Sequence, residues 1–351
     1  MPLRKSSRRR RGKLIAMLLA VLAVAIVGGG IWLWSSLNGR VEHSSADEII
    51  SIEPGTSPVA IVNRLTEAGI VRNPMALKIY LRVTGRSARL KAGDYQFQSP
   101  VSPLEALGKI ERGEVFVQRV TIPEGLNRFE ISELLAAKTG KATAEQFLLL
   151  TYGTDLVDKI DPSASNLEGY LFPDTYNYTT NTTAEDLIRG MVERFNDLFT
   201  ADWANRASRL GLSVREVVTL ASIVEEEARV PDERPRVASV FMNRLKIGMP
   251  LASDPTFIYA AILAHDYDGN PNQPRHRRRQ SRYNTYIYPG LPPGPIASPG
   301  RASLEAALNP EKTDYLYFVV NGTAGRHKFS RTSAEHELAV QEYRQQQRGE
   351  K

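Results

Sequence analysis

The stretch "SVREVVTLASIVEEEA", residues 213–228, is the one from which the rest of the chain is interpreted. Its apolar residues recur at the spacing of one helix face, and Ser213 is a typical N-cap residue. The stretch therefore predicts a buried helix that ends before Pro231 and Pro235. Three consecutive carboxylates close this helix. Because charged residues are seldom buried, either one of them performs chemistry or all three form a solvated helix end.

The three glutamates are not equivalent on the helix. At about 100° per residue, Glu225 falls inside the apolar stripe, Glu226 points away from it and Glu227 lies at its edge. Desolvation and the helix dipole disfavour the charged form of a carboxyl at such a position, which suits a general acid. The same position also suits a structural ion pair with Arg234 or Arg244. The residues alone leave both interpretations open.

Composition places the chain among globular proteins with one uneven feature. The 351 residues are 42% apolar, which is enough for one or two domains with a sizeable core. Of the 45 basic residues, seven lie in residues 1–13, which contain no acid. The remaining 38 face 39 acidic residues, so the formal charge of +6 is a property of one end. The charge balance therefore gives no support to nucleic-acid binding.

The basic end is followed by an uncharged run, Leu14–Trp34. As a helix it would be about 31 Å long, the thickness of a bilayer core. The alternative is a cleaved signal peptide, but Trp32 and Trp34 stand where small residues would precede a cleavage site. We expect a cytoplasmic basic tail at 1–13 and a single transmembrane helix at 14–34 in the inner (plasma) membrane, with the rest of the chain periplasmic. The absence of Cys fits that compartment.

Beyond the helix we expect a polar linker at 35–47 and two further regions. In residues 48–120, a strand precedes "PGTSPVAIVNRL", Pro54–Leu65, a Gly-Thr turn that leads into a helix. This unit resembles a lysin motif, a module that commonly binds glycan strands. A purely structural domain is the alternative. The predicted fold class is thus α+β: a transmembrane helix, a small lysin-motif-like α/β module at 48–120, and a larger mixed α+β catalytic domain at 121–351.

Longer motifs lie on both sides of the helix. They are ASIVE at 221–225, RPRVASVFMNRL at 234–245, GMPLASDPT at 248–256, YNTY at 283–286 and GLPPGPIASPG at 290–300, with LEGYLFPDTY at 167–176 upstream and DYLYFV and HKFS at 314–319 and 327–330 downstream. In order and spacing they resemble the endolytic murein transglycosylase family. An N-terminal anchor and a lysin-motif-like unit complete that family's layout, so the resemblance covers nearly all of the chain.

The resemblance implies a reaction and a catalytic residue. Such an enzyme cleaves nascent peptidoglycan between N-acetylmuramic acid and N-acetylglucosamine, leaves a 1,6-anhydromuramoyl end, and is expected to terminate strand elongation. Its catalytic Glu is Glu225 here. A single carboxylate suffices because the sugar's own C6 hydroxyl attacks, whereas hydrolases usually need two. We expect no cofactor and no metal, because the five His have no ligand spacing and Cys is absent.

Five further residues are candidates for substrate binding. Asn284 and Tyr286 belong to YNTY, and Asn243 belongs to RPRVASVFMNRL. Neutral donors such as the two Asn side chains would orient acetamido groups. Asp174 lies in an aromatic, polar stretch typical of a sugar-binding cleft. With Asp254, it is also a candidate base for a different reaction, in which a muramidase uses water and Glu225 is the acid.

A second alternative is a non-catalytic glycan-binding or divisome scaffold protein in which Glu225 is structural. The expected partners are peptidoglycan glycan strands, the membrane and, because an enzyme on nascent strands works beside the polymerase, peptidoglycan synthases; nucleic acid is not among them. One stretch departs from the family pattern: "PRHRRRQSR", Pro274–Arg282, stands where an acidic residue and a Ser are common. It would either meet anionic peptide stems or lipid headgroups, or form a solvated loop.

Overall fold

The fold is that of a computed structural model, which describes residues 6–321 and 325–349, with side chains for 13–321 and 325–346. The predicted basic tail at 1–13 therefore lies mostly outside the described side chains. The helices are α1 (Ser6–Asn38), α2 (Pro58–Glu67), α3 (Pro74–Thr84), α4 (Pro103–Arg112), α5 (Arg128–Thr139), α6 (Ala144–Leu150), α7 (Ala184–Leu198), α8 (Ala201–Arg209), α9 (Val214–Glu227), α10 (Arg234–Lys246), α11 (Asp254–Leu263), α12 (Pro274–Arg277), α13 (Arg301–Leu308) and α14 (Ser333–Gly349). The strands are β1 (Ile50–Ile52), β2 (Gly93–Tyr95), β3 (Gln118–Thr121), β4 (Thr175–Tyr178), β5 (Tyr317–Val320) and β6 (His327–Ser330).

The architecture is mixed α+β with small sheets, as the sequence predicts. Within the described residues the strands form three two-stranded sheets, β1–β2, β3–β4 and β5–β6. Both β1–β2 and β5–β6 are antiparallel, with Ile50 opposite Tyr95 and Tyr317 opposite Ser330. Two-stranded sheets have little stability alone, so helices must cover their apolar faces.

Helix α1 begins the described chain with the predicted apolar run. Lys13–Asn38 is long and apolar enough to cross a membrane, with a mean hydropathy of 2.7, and its most apolar 18 residues are exposed within the chain. Its last turns differ from the expectation of a linker at 35–47. The helix continues to Asn38, Leu37 is buried in a core, and Val41 forms an isolated antiparallel bridge with Val101. Leu37 and Val41 bury apolar surface there, which a solvated linker cannot do.

The chain divides into two compact units. The first comprises the described residues up to Gln118 together with Tyr178–Asn181. Its core is apolar and is formed by residues from β1, β2 and the surrounding helices, including Ile52, Val62, Leu65, Leu77, Tyr95, Phe97, Leu107 and Ile110. Here α2 packs on both α3 and β1, so the strand, turn and helix predicted from the sequence are built around this core.

The second unit, Arg119–Asn177 and Thr182 onward, is built around α9. This helix packs against α8, α10, α11 and α13, and its residues Val217–Val224 are all buried. An aromatic chain of ring contacts, Tyr170–Phe195–Phe199–Trp203, fills another part of the unit. A helix surrounded by four others holds the side chains at its C-terminal end in fixed positions.

Helix ends in this unit are set by short local signals. Ser213 caps α9 by accepting from the Glu216 N–H, while the Glu216 carboxylate accepts from the Ser213 N–H. The same reciprocal arrangement begins α5 with Asn127 and Glu130. This capping box satisfies two backbone donors that a helix N-terminus leaves free. The predicted limits Ser213 and Ala228 are the two cap residues of α9.

Candidate active site

Glu225 lies on the last turn of α9 with its side chain only 7% exposed. Both of its carboxylate oxygens are hydrogen-bonded. Oε1 accepts from Arg234 Nη2 at 2.9 Å, and Oε2 accepts from the Gly300 N–H at 2.8 Å. Of the two arginines considered from the sequence, Arg234 is therefore the partner, since Arg244 donates to the Leu316 carbonyl instead. Both contacts stabilise the carboxylate, and they oppose the effect of burial.

Arg234 reaches Glu225 because α10 starts immediately after a tight turn. Pro231–Glu233 form a single 3₁₀ turn. Pro is common at the first position of a helical segment because its fixed φ suits that position and no N–H is needed there. The buried carboxylate of Glu233 accepts from the His327 N–H at 3.2 and 3.1 Å and lies 2.8 Å from His327 Nδ1. This contact fixes the start of α10 against β6, and thereby positions the Arg234 side chain.

A second carboxylate reaches the same arginine from the loop between β3 and α5. Glu124 Oε2 lies 3.8 Å from Arg234 Nη2, and its side chain is about half-exposed at 49%. The loop is held by two backbone bonds, Gly125 N–H to the Ser298 carbonyl and Ser298 N–H to the Leu126 carbonyl, both 2.9 Å. The carboxyl of Glu124 covers Gly300 so closely that a Cβ there would displace it.

A cleft of about 440 Å³ opens beside these carboxylates. Its lining residues are Glu124, Gly125, Leu126, Asn127, Glu130, Glu226, Pro255, Ile258, Tyr259, Ile262, Tyr267 and Ile296. Glu225 adjoins the same wall, because its Cγ is 4.0 Å from where a Cβ on Gly125 would stand. Gly125 has a φ of +84°, a left-handed conformation that favours glycine. The cleft combines apolar walls with several carboxyl groups, the composition expected of a sugar site.

Glu226 and Glu227 lie in different surroundings from Glu225. Glu226 contacts solvent in the cleft. Its pKa is nevertheless raised to about 7, first by desolvation from the surrounding protein and then by the carboxylates of Glu130, Glu225 and Glu227. Burial also raises the pKa of Glu227, whose Oε1 accepts from Ser253 Oγ at 2.7 Å. The three adjacent glutamates thus differ in their contacts. Glu225 forms an ion pair, Glu226 lines the cleft and Glu227 accepts a hydrogen bond inside the protein.

Three of the five predicted binding residues, Tyr286, Asp254 and Asn284, belong to segments on the Glu227 side of this group. Tyr286 Oη donates to Asp254 Oδ1 at 2.5 Å, and Asp254 opens α11 next to the Ser253 that binds Glu227. Asn284 is fully buried, and its amide nitrogen donates to the Arg277 and Arg279 carbonyls at 2.9 and 3.0 Å. In this structure Asn284 therefore shapes the loop that leads to Tyr286.

The other two predicted binding residues are placed elsewhere. Asn243 donates to the Thr313 and Tyr315 carbonyls at 2.9 and 3.0 Å, in a groove of about 830 Å³ that contains none of the three glutamates. This groove is larger than the cleft, but it holds no comparable cluster of acids. Asp174 accepts from Arg194 Nε at 2.8 Å at the surface, and its pKa is lowered by the Thr175 N–H and then by that arginine.

Several buried or half-buried acids were not singled out from the sequence, and two of them lie next to the cleft. One is Glu124, which the sequence offers only as a carboxylate before a Gly turn. The other is Glu168 in LEGYLFPDTY, which accepts from the Arg128 N–H at 3.0 Å and from Tyr259 Oη at 2.7 Å. Burial raises the pKa of Glu168 to about 7. Because Tyr259 lines the cleft, Glu168 supports the cleft wall from behind.

The arginine-rich stretch 274–282 is partly neutralised within the chain. Arg275 pairs with Asp266 and Asp268, and Arg279 pairs with Asp266. The Arg277 guanidinium lies 4.0 Å from the centre of the Tyr286 ring. The loop is thus tied to the side of the site that contains Tyr286, and its exposed arginines remain available at the surface.

The fold and site together define a class of α+β protein that has an N-terminal helix of membrane-spanning length and a buried carboxylate beside a cleft. A family model described as YceG-like matches residues 50–342. The chain belongs to the YceG-like family.

Named relatives agree with this membership. The chain is 33% identical over 340 residues to the endolytic murein transglycosylase of Bacillus subtilis (strain 168), and the match covers 91% of each protein. It is 30% identical over 359 residues to the endolytic murein transglycosylase of Streptococcus pneumoniae serotype 2 (strain D39 / NCTC 7466), covering 93% of this chain and 63% of that protein. A crystal structure of a YceG-like protein from Listeria monocytogenes matches with a TM-score of 0.57 and 31% identity, over 83% of this chain and 97% of the other. The predicted family resemblance is confirmed.

Proposed function

We propose that this chain is a peptidoglycan lytic transglycosylase, anchored in the inner membrane by α1 and acting in the periplasm. The observation that carries the proposal is Glu225, a carboxyl enclosed beside a cleft, at the position that the family resemblance assigns to the catalytic acid. The names of the relatives support the substrate, because both are called endolytic murein transglycosylases. The walls of the cleft combine apolar and acidic groups, as a glycan requires.

The reaction needs one protein group that exchanges a proton. Glu225 protonates the glycosidic oxygen, and the bond from that oxygen to the anomeric carbon of N-acetylmuramic acid breaks with its electron pair on the oxygen. The C6 hydroxyl oxygen of the same sugar then bonds to the anomeric carbon. Its proton returns to Glu225, so the enzyme is regenerated and no water is consumed. The products are a strand with a 1,6-anhydromuramoyl end and a strand with a free N-acetylglucosamine hydroxyl.

The geometry favours this reaction over hydrolysis. A hydrolase needs a second carboxylate, as nucleophile or as base, on the other side of the scissile bond. Asp254 and Asp174, the two bases considered from the sequence, are bonded to Tyr286 and Arg194 respectively. Neither of them is among the residues that line the cleft, which leaves the single-acid reaction as the better supported one.

The first unit supplies a second contact with the glycan in this proposal. The strand, turn and helix of the lysin-motif-like resemblance are β1, the turn in which Thr56 bonds back to the Glu53 carbonyl, and α2 capped by Ser57. This arrangement supports a module that holds the strand while the second unit cleaves it. Weaker binding of isolated sacculi after replacement of the half-buried Thr56 and the exposed Val59 would support that role, and unchanged binding would make the module a spacer.

The product ends test the reaction itself. The full chain, purified in detergent, is incubated with glycan strands, and the released ends are identified by mass spectrometry. We expect 1,6-anhydromuramoyl ends. Reducing ends would identify a water-using muramidase, and intact strands would identify a binding or scaffold protein. Formation of anhydro ends within strands still being polymerised would support a role in terminating elongation beside the synthases.

A further inference from the structure

The cluster around Arg234 contains one cation and two acids. Its guanidinium lies 2.9 Å from Glu225 and 3.8 Å from Glu124, measured from Nη2 to the nearest carboxylate oxygen. Arg234 is 12% exposed and Glu225 is 7% exposed, whereas Glu124 is 49% exposed. The inner acid is therefore fixed, and the outer acid has room to move.

The ion pair creates a difficulty for Glu225 as an acid. To donate a proton, Glu225 must first hold one, and a protonated carboxyl no longer balances the charge of Arg234. A largely buried cation without a partner is strongly destabilising. Glu124 is the second carboxylate within reach, and a movement of about 1 Å would bring its oxygen to hydrogen-bond distance from the same nitrogen. Arg234 also has a buried Nε without a hydrogen-bond partner within the described residues.

The charges of the two acids are already coupled. Burial raises the pKa of Glu124, the Glu225 carboxylate raises it further, and Arg234 lowers it. Because each carboxyl group lies within reach of the same arginine, a proton on one of them leaves Arg234 to the other. When the proton is on Glu124, Arg234 pairs with Glu225, as the structure shows. When the proton is on Glu225, Arg234 pairs with Glu124.

Other charged groups face the cluster from the neighbouring elements. On α9 these are Glu226 and Glu227, and from α5 it is Glu130, which raises the pKa of Glu226. At the start of α10, Glu233 is occupied by His327, and at the start of α13, Arg301 pairs with Glu305. Within the described chain, Arg234 is thus the cation that pairs with Glu225.

We infer that Glu124 is a positioning residue for the acid: by taking over Arg234, it allows Glu225 to hold the proton that goes to the glycosidic oxygen. The inference rests on the proposed function. It requires only that a proton and an ion-pair partner exchange between two carboxyl groups, so no other bond forms or breaks. Glu124 acts through Arg234 and needs no contact with the sugar.

The pH profile of cleavage tests the inference. In Glu124→Gln, Arg234 has no alternative partner and stays on Glu225, so the acid ionises more readily. The alkaline limb of the profile should move down by about 1 pH unit, the smaller end of the effect of an adjacent opposite charge. Activity at neutral pH should fall about tenfold and return at lower pH. Arg234→Gln removes the counter-charge, so its alkaline limb should move up.

Two variants serve as controls. Glu133→Gln removes an exposed charge from α5, the helix that follows Glu124 in the chain, and should leave the pH profile unchanged. Glu124→Asp keeps the charge and should restore the wild-type limb in part. A loss of activity in Glu124→Gln that is equal at every pH, or shifts of the same sign in Glu124→Gln and Arg234→Gln, would overturn the inference.

A second measurement separates this inference from the proposed function. Because the pKa of Glu124 is raised in the folded chain, wild type loses stability as pH rises above the unfolded value of about 4.3. The melting temperature of Glu124→Gln relative to wild type should therefore increase between pH 4 and pH 8, whether or not the chain cleaves glycan. A constant difference would show that the pKa of Glu124 is not raised in the folded chain and would contradict the inference. Absence of anhydro ends with wild type would instead contradict the proposed function.

Discussion

At the scale of single residues, adjacent glutamates on one helix acquire separate roles because successive side chains point about 100° apart. Glu225 faces the loops that contain Glu124 and Gly300, whereas Glu226 faces the cleft. Glu227 faces Ser253. Neighbours on a helix do not meet each other. A cooperating pair of acids in this protein must therefore be assembled from different elements, as Glu225 and Glu124 are.

The first prediction concerns Glu225→Gln. The amide keeps the size of the side chain and accepts from the Gly300 N–H, but it cannot donate the proton. Since general acid catalysis contributes about 10² to 10⁴ in rate, anhydro-end formation should fall at least 100-fold. The melting temperature should fall slightly, because Arg234 loses a charged partner. Glu193→Gln, an exposed change on α7, is the matched control. Retained turnover with a lower melting temperature would make Glu225 a purely structural residue.

A second prediction uses the pKa of about 7 at Glu226. This value lies above the unfolded value of about 4.3, so the folded chain binds the proton more strongly. The stabilising contribution is fully present below pH 4.3 and is lost as pH rises through 7. Glu226→Gln has no such loss, and its melting temperature should gain on wild type between pH 4.5 and 7 and then level off. Parallel curves for the two proteins would contradict the shifted pKa.

Activity of Glu226→Gln is a separate readout of the same residue. The side chain lies off the apolar stripe, and a neutral amide resembles the protonated acid that predominates below pH 7. We expect anhydro-end formation near the wild-type rate at pH 6. A loss as large as that of Glu225→Gln would assign proton donation to Glu226.

What the sequence predicts at this scale follows from periodicity. The direction of Glu225 is a local property of α9, so the helical repeat was sufficient to select it. Its partner depends on the tertiary structure. The sequence gives no reason to prefer Arg234 to Arg244, and it is the turn at 231–233 that places Arg234 next to Glu225. Glu124 was missed because it comes from a loop about 100 positions earlier in the chain, and no local pattern marks it.

At the scale of elements, the predicted limits of α9 agree with the structure because residues near each end determine them. Ser213 and Glu216 form the capping box, and the polar carboxylates and Pro231 end the buried stretch. The start of α5, Arg128–Thr139, is likewise determined locally, by the capping box of Asn127 and Glu130. The polar segment 35–47 was predicted less well, because a few apolar side chains such as Leu37 and Val41 pack onto a core formed by distant residues.

The capping box of α9 gives the third prediction. Ser213→Ala leaves the Glu216 N–H without its side-chain acceptor, which typically costs about 1 kcal/mol. For a unit of this size the melting temperature should fall by about 2–4 °C. Activity measured well below the transition should be kept, because the cap is at the opposite end of α9 from Glu225. Ser213→Asp supplies another good cap and should restore stability. An unchanged melting temperature for Ser213→Ala would show that the cap contributes nothing measurable.

At the scale of the whole molecule, the apolar helix α1 is long and apolar enough to span a membrane, and the proposed location of the site rests on it. Its exposed stretch matches the thickness of a bilayer, and the basic residues before it favour a cytoplasmic N-terminus. The uncharged run was recognisable from composition alone, because a bilayer imposes a length and an absence of charge that few soluble helices meet. The helix itself extends beyond the run at both ends, from Ser6 to Asn38, and it ends directly before Gly39.

The last prediction is the topology. We expect a single crossing, with both compact units outside the cytoplasm, where peptidoglycan is found. Alkaline phosphatase, which folds only outside the cytoplasm, should be active when fused to the C-terminus, and a cytoplasmic reporter at the same point should be silent. Moving the basic residues from 8–11 to the segment 35–38 should weaken or invert this result, because the positive charges set the orientation. An active cytoplasmic reporter on the unaltered chain would show that Glu225 lies in the cytoplasm, where there is no peptidoglycan. That result would contradict the proposed function.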